Sequence, residues 1–167
     1  MASPLLIAAL CMGKRHTGAF LFCLAGMGMC LLSAYLNTFF AALYGADAFA
    51  ATVEIAPVVE EGMKLLPLLF YLLVFEPQAR QIGIAAVITA LSFATFENIC
   101  YLIQNGAAHF SFIFFRGIGT GAMHVICGAI VGGGLAYVWR RTWLKIAGTC
   151  GLLGAAITFH AIYNLLI

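Results

Sequence analysis

Five apolar runs, each long enough to cross a bilayer and joined by short polar turns, account for nearly all of the chain beyond residue 17. In hydrocarbon an open chain must satisfy its backbone polar groups within each segment, and the α-helix does this. A crossing takes about 20 apolar residues. The runs fall at about 18–43, 51–75, 82–103, 112–139 and 146 to the end. A shorter apolar stretch, residues 2–12, precedes them. As a helix it covers roughly 16 Å, about half a bilayer core, which suits half-insertion, an interfacial position or a place against the bundle. Only 8% of the 167 residues are charged, where a soluble domain has about a quarter. The expected fold is therefore all-α: a polytopic membrane helical bundle of five full transmembrane helices plus the short N-terminal apolar segment. It is expected to form a single domain over residues 1–167, with its motif-bearing core at about 51–167.

The net charge of +2 comes from eight basic residues spread along the chain. They form no basic stripe, so nucleic acid is not an expected partner and membrane lipid is. Lys14-Arg15, Arg80 and Arg140-Arg141-Lys145 fall on one side if each run crosses once, and Asp47, Glu54 and His109 fall on the other. Short basic loops stay cytoplasmic, which puts the C-terminus outside. The six cysteines form no CxxC pair and read as small packing residues. The fourth run carries seven glycines between Gly117 and Gly134. They suit close helix contact and make that helix the one most prone to bend.

Within the second run, Glu60-Glu61-Gly62-Met63-Lys64 places three ionisable groups in apolar surroundings. Such groups face a polar or watery interior and mark function. On a helix Lys64 reaches both carboxylates, being four residues after one and three after the other. Pro67 removes the hydrogen bond to the Met63 carbonyl, so a kink is expected beside them. Counted from the basic ends, Glu61 lies about 14 residues deep, and Glu97, His124 and His160 each about 15. At 1.5 Å per residue, all four sit roughly 21–23 Å from that boundary. Four ionisable residues on four helices thus share one layer in the outer half of the membrane. His160 and Asn164 share a helix face, as do Phe93 and Glu97. Arg116, about two turns from His124, reads as an anchor snorkelling to the surface, with an oxyanion or substrate carboxylate as its other use.

This set permits several chemistries. In metal-assisted hydrolysis His124, His160 and Glu97 form a His₂-carboxylate site, zinc being the first choice, with Glu61 as general base. Without a metal, a glutamate tuned by burial and Lys64 activates water while the histidines and Asn164 bind the oxyanion. Carboxylates and histidines in a membrane also build proton or cation pathways. A scaffold that holds a partner helix without catalysis is a further reading.

Glu60-Glu61-x-x-Lys64, Phe93-x-x-x-Glu97-Asn98, His124 and His160-x-x-x-Asn164 together resemble the PrsW family of intramembrane proteases, within the clan of CAAX prenyl endopeptidases and bacteriocin-processing proteins. The agreement in order and spacing runs over about residues 54–164. The resemblance implies an intramembrane endopeptidase, a hydrolase acting on membrane-associated protein or peptide substrates, and a bacterial cytoplasmic membrane fits it. It implies that Glu60, Glu61, Glu97, His124 and His160 are site residues, with Asn164 closing the last motif. The family is described both as metal-dependent and as glutamate-type, so both mechanisms stay open.

Overall fold

The structure, a computed structural model, describes residues 14–105 and 110–166. The apolar segment 2–12 and His109 lie outside the described residues. Every regular element within them is helical. Five long helices follow one another: α1 (Lys14–Tyr44), α2 (Ala56–Phe75), α3 (Ala79–Asn105), α4 (Phe110–Val138) and α5 (Lys145–Leu166). Among the described residues four of these, α1, α3, α4 and α5, are long and apolar enough to cross a membrane. The expectation of five full crossings thus reduces to four on length and apolarity. The 20 residues of α2 span about 30 Å, enough for a bilayer core. What sets α2 apart is the charge of Glu60, Glu61 and Lys64.

The start of α2 is built in three steps. Asp47 caps a single helical turn at Ala48–Ala50, its carboxylate accepting from the Ala50 amide at 2.8 Å. A π-helical turn, Ala51–Ile55, comes next. Regular α-helix begins at Ala56, with Pro57 in the first turn where its missing N–H is harmless. The helix runs on through Pro67 and ends at Glu76, which adopts the left-handed conformation at φ 46° before Pro77. The glycine-rich α4 is likewise continuous.

Glycine sets the α3–α4 seam. A Cβ on Gly128 would lie 2.7 Å from the Ala90 Cβ, and one on Gly132 would lie 2.6 Å from the Ala86 Cβ. Two glycines four residues apart thus meet two alanines four residues apart, and the backbones close together as membrane helices do when small residues face each other. The apolar core joins Leu65, Leu68 and Leu72 of α2 to Ala85 and Ala86 of α3, Met123, Cys127 and Leu135 of α4, and Ala156 of α5. Large apolar side chains such as Leu31, Phe70, Leu73, Ile103 and Leu166 cover the outside. A cavity of about 420 Å³ at one end is lined by Glu76–Ala79 from the α2–α3 turn and by Trp139, Arg140 and Lys145 from the α4–α5 turn. Two of the basic turns are therefore neighbours at one end of the bundle. The five cysteines among the described residues are free thiols.

Candidate active site

Glu60, Glu61 and Lys64 occupy the buried face of α2, and all three are 9% exposed or less. The same face continues into Leu65, Leu68 and Leu72, so the apolar packing of α2 also fixes where its charges point. They point at α4 and α5. The His124 side chain of α4 and the His160 side chain of α5 are both buried, with ring centroids 5.0 Å apart in an edge-on arrangement. Glu97 comes in from α3. The four levels counted along the sequence meet in one cluster.

Lys64 Nζ donates to Glu61 Oε1 at 2.6 Å and lies 2.7 Å from His124 Nδ1. As an ammonium it donates to both, which places the His124 ring proton on Nε2. There it donates to Glu97 Oε2, 2.8 Å away. His160 Nδ1 donates to the same Glu61 oxygen at 2.8 Å, leaving its Nε2 with a free lone pair. Glu61 thus orients one histidine directly and the other through Lys64. Phe93 lies under the pair, its ring 5.1 Å from Lys64 Nζ and 5.2 Å from the His124 ring.

Glu60 takes a different place. Its Oε2 lies 3.9 Å from the Nε2 of each imidazole. Its Oε1 accepts from Asn37 Nδ2 of α1 at 3.2 Å. Glu60, His160 and, once its Nε2 gives up its proton, His124 can each offer one ligand atom with all three atoms within 4.8 Å of one another. Two imidazoles and a carboxylate are the donor set of catalytic zinc sites, which keep a fourth position open. The arrangement Glu61···His160 also supplies a carboxylate acceptor for the second nitrogen, as ligating histidines commonly have. Three carboxylates face two cations, Lys64 and Arg116, so one formal negative charge has no cationic partner among the described residues. On these counts the residues fit a divalent cation.

The sequence expectation gave Glu97 to the metal and water activation to Glu61. In the structure Glu97 is bonded to His124 Nε2, its side chain is 26% exposed, and it lines a cavity of about 200 Å³. Glu61 is 3% exposed in its side chain and holds two donors on one oxygen. Arg116 turns inward instead of snorkelling outward. A terminal guanidinium nitrogen is 3.6 Å from Glu97 Oε1, and the guanidinium carbon sits 3.9 Å from the centroid of the Tyr101 ring. Asn164 gives its amide to the Thr52 carbonyl at 3.0 Å, tying the last helix to the π-helical turn that leads into the Glu60 helix. Asn37 was not singled out from the sequence. An amide within an otherwise apolar crossing was the signal available.

Comparison with curated proteins and with solved structures gave no match. A family model described as PrsW family intramembrane metalloprotease matches residues 14–167, which takes in all five helices and every residue of the cluster. On that match the chain belongs to the PrsW family of intramembrane metalloproteases.

Proposed function

We propose that this membrane peptidase hydrolyses a peptide bond of a membrane-associated protein or peptide, with Glu60, His124 and His160 holding one divalent cation, zinc by donor type. The carrying observation is the common reach of one Glu60 oxygen to both Nε2 atoms, 3.9 Å in each case. A bound cation supplies Lewis acidity to the scissile carbonyl and to water. The chain supplies the rest. Glu97, part-exposed to the cavity, is the group placed to take a proton from water, and so replaces Glu61 in the role of base. Glu61 and Lys64 hold the two rings in register, and Asn37 holds Glu60. Asn164 is a positioning residue acting through Thr52 and the π-helical turn.

The enzyme is an integral membrane protein with lipid around it, and we place the basic turns on the cytoplasmic side by the positive-inside rule. The α2 helix is the fifth crossing, tolerated because its charges face the cluster and not lipid.

Elemental analysis of purified protein tests the metal assignment. One zinc per chain is expected in the wild type and in Glu97→Ala, and none in His124→Ala or Glu60→Ala. Full proteolysis by zinc-free protein would overturn it in favour of water activated by glutamate alone.

A further inference from the structure

The cavity of about 200 Å³ beside the cluster lies between α1, α3 and α4. Four residues of α1 line it, Cys30, Ser33, Ala34 and Asn37, and the two polar ones, Ser33 and Asn37, are four apart and so on one helix face. Glu60, Glu97, Cys100 and Arg116 line it too. Its unusual property is unused hydrogen-bonding capacity. Ser33 is 1% exposed, and its Oγ has no hydrogen-bond partner among the described residues. Neither has Asn37 Oδ1 or Arg116 Nε. Among the described residues, three of the five buried polar side-chain atoms in this condition therefore belong to residues of one cavity. Leaving such groups without partners is costly, so native structures keep few of them without a reason.

Their chemistry is mixed. A carboxylate accepts and does not donate, so Asn37 must turn its NH₂ to Glu60. Its Oδ1 is left to accept. Arg116 Nε can only donate, and the Ser33 hydroxyl can do either. One acceptor beside donors matches the N–H and C=O of a peptide backbone better than a purely anionic or purely apolar ligand. A protease working within a bilayer has that need. A substrate helix must be unwound before its peptide bond can be attacked, and in hydrocarbon each freed backbone group requires a partner.

On the reading of this chain as a peptidase, we propose that the α1–α3–α4 cavity is the subsite that receives unwound substrate main chain next to the scissile bond. Ser33, Asn37 and Arg116 supply its hydrogen-bond partners. Ser33 and Asn37 then decide how well extended backbone is held, and their contribution is to binding.

The probe is a bilayer-spanning leucine-rich peptide with a central Gly-Pro pair, reconstituted with the full chain. Cleavage is followed in one arm. In the other, the Glu97→Gln protein, with Cys100 as its only cysteine, is alkylated by a membrane-permeant maleimide with and without peptide. The expected results are that Ser33→Ala raises KM roughly three- to tenfold at unchanged kcat, the loss of one neutral hydrogen bond. Peptide should slow Cys100 alkylation, and Ser33→Ala should lift that protection. Cleavage with no protection of Cys100, or with KM unchanged in Ser33→Ala, overturns the subsite and leaves hydrolysis standing. Protection without cleavage by the wild type keeps the subsite and removes the hydrolytic reading for this peptide. Neither protection nor cleavage overturns both for unwound bilayer-spanning peptides.

Discussion

Replacing Lys64 with methionine tests whether the charged cluster is a connected unit. The substitution conserves the side chain's length and apolar stem and removes the ammonium. In the structure that ammonium bridges Glu61 Oε1 at 2.6 Å and His124 Nδ1 at 2.7 Å, with the Lys64 and Glu61 side chains 7% and 3% exposed. Removing one partner of a buried pair strands the other, at a cost of about 3–5 kcal/mol. His160 still donates to Glu61 at 2.8 Å, so the lower end applies, about 3 kcal/mol. The denatured state in a micelle keeps these groups in partly apolar surroundings, which trims the figure further. Glu61→Gln in the same background removes the stranded charge, so the double variant should lie closer to wild type than Lys64→Met alone. The measurement is reversible unfolding in mixed micelles of increasing SDS fraction, followed by tryptophan emission. Lys64→Met within 1 kcal/mol of wild type, or a double variant less stable than the single, would refute the coupling drawn between Lys64 and Glu61.

Other outcomes follow from the same geometry. Asn37→Ala should weaken zinc binding about 10–100-fold, the usual effect of removing a partner from a metal ligand, as read by competition with a chelator. Zinc loading should release the His124 Nε2 proton. A pH dye in weakly buffered micelles should record the release, and affinity should fall about tenfold for each pH unit lowered below neutrality. Gly132→Leu should destabilise by about 1–3 kcal/mol or more in the same SDS titration, since even its Cβ would be 2.6 Å from Ala86. Asn164→Ala should lower kcat while zinc stays at one per chain, because its contact is with the Thr52 carbonyl and not with the ligand set.

The helices and the common layer were legible because they follow from one-dimensional rules. Apolar runs of about 20 residues give crossings, and a fixed rise per residue converts sequence position into depth. The expected boundaries of the runs lie within a few residues of the helices found, apart from the π-helical turn at Ala51–Ile55, which no residue spacing announces. Rotation about each axis was harder to read. Glu60 and Glu61 are adjacent, yet about 100° apart on a helix. That difference sends one to both imidazole Nε2 atoms and the other to Lys64 and His160 Nδ1. Which carboxylate does which job depends on how α2 turns its leucine face to the core, a three-dimensional fact. Arg116 differs from the sequence expectation for the same reason. Its depth near a helix end suits snorkelling, but its rotation brings it over Tyr101 and toward Glu97.

The cluster also explains why a helix with three ionisable residues can stand among four apolar ones. Each charge on α2 has a partner on another helix or on the next turn: Glu60 has Asn37, Glu61 has Lys64 and His160, and Lys64 has Glu61 and His124. Unpartnered, any of them would favour expelling α2 toward water. Together they hold α2 against α1, α4 and α5 at the level where the chemistry is proposed. The price in apolarity is then the reason the candidate site sits at one depth. A helix with leucines in place of these residues would cross more readily, but nothing would fix its rotation relative to the two histidines. Packing and the proposed metal site depend on the same four hydrogen bonds, so variants that unhook them should lose ordered structure around Glu60 and metal affinity together.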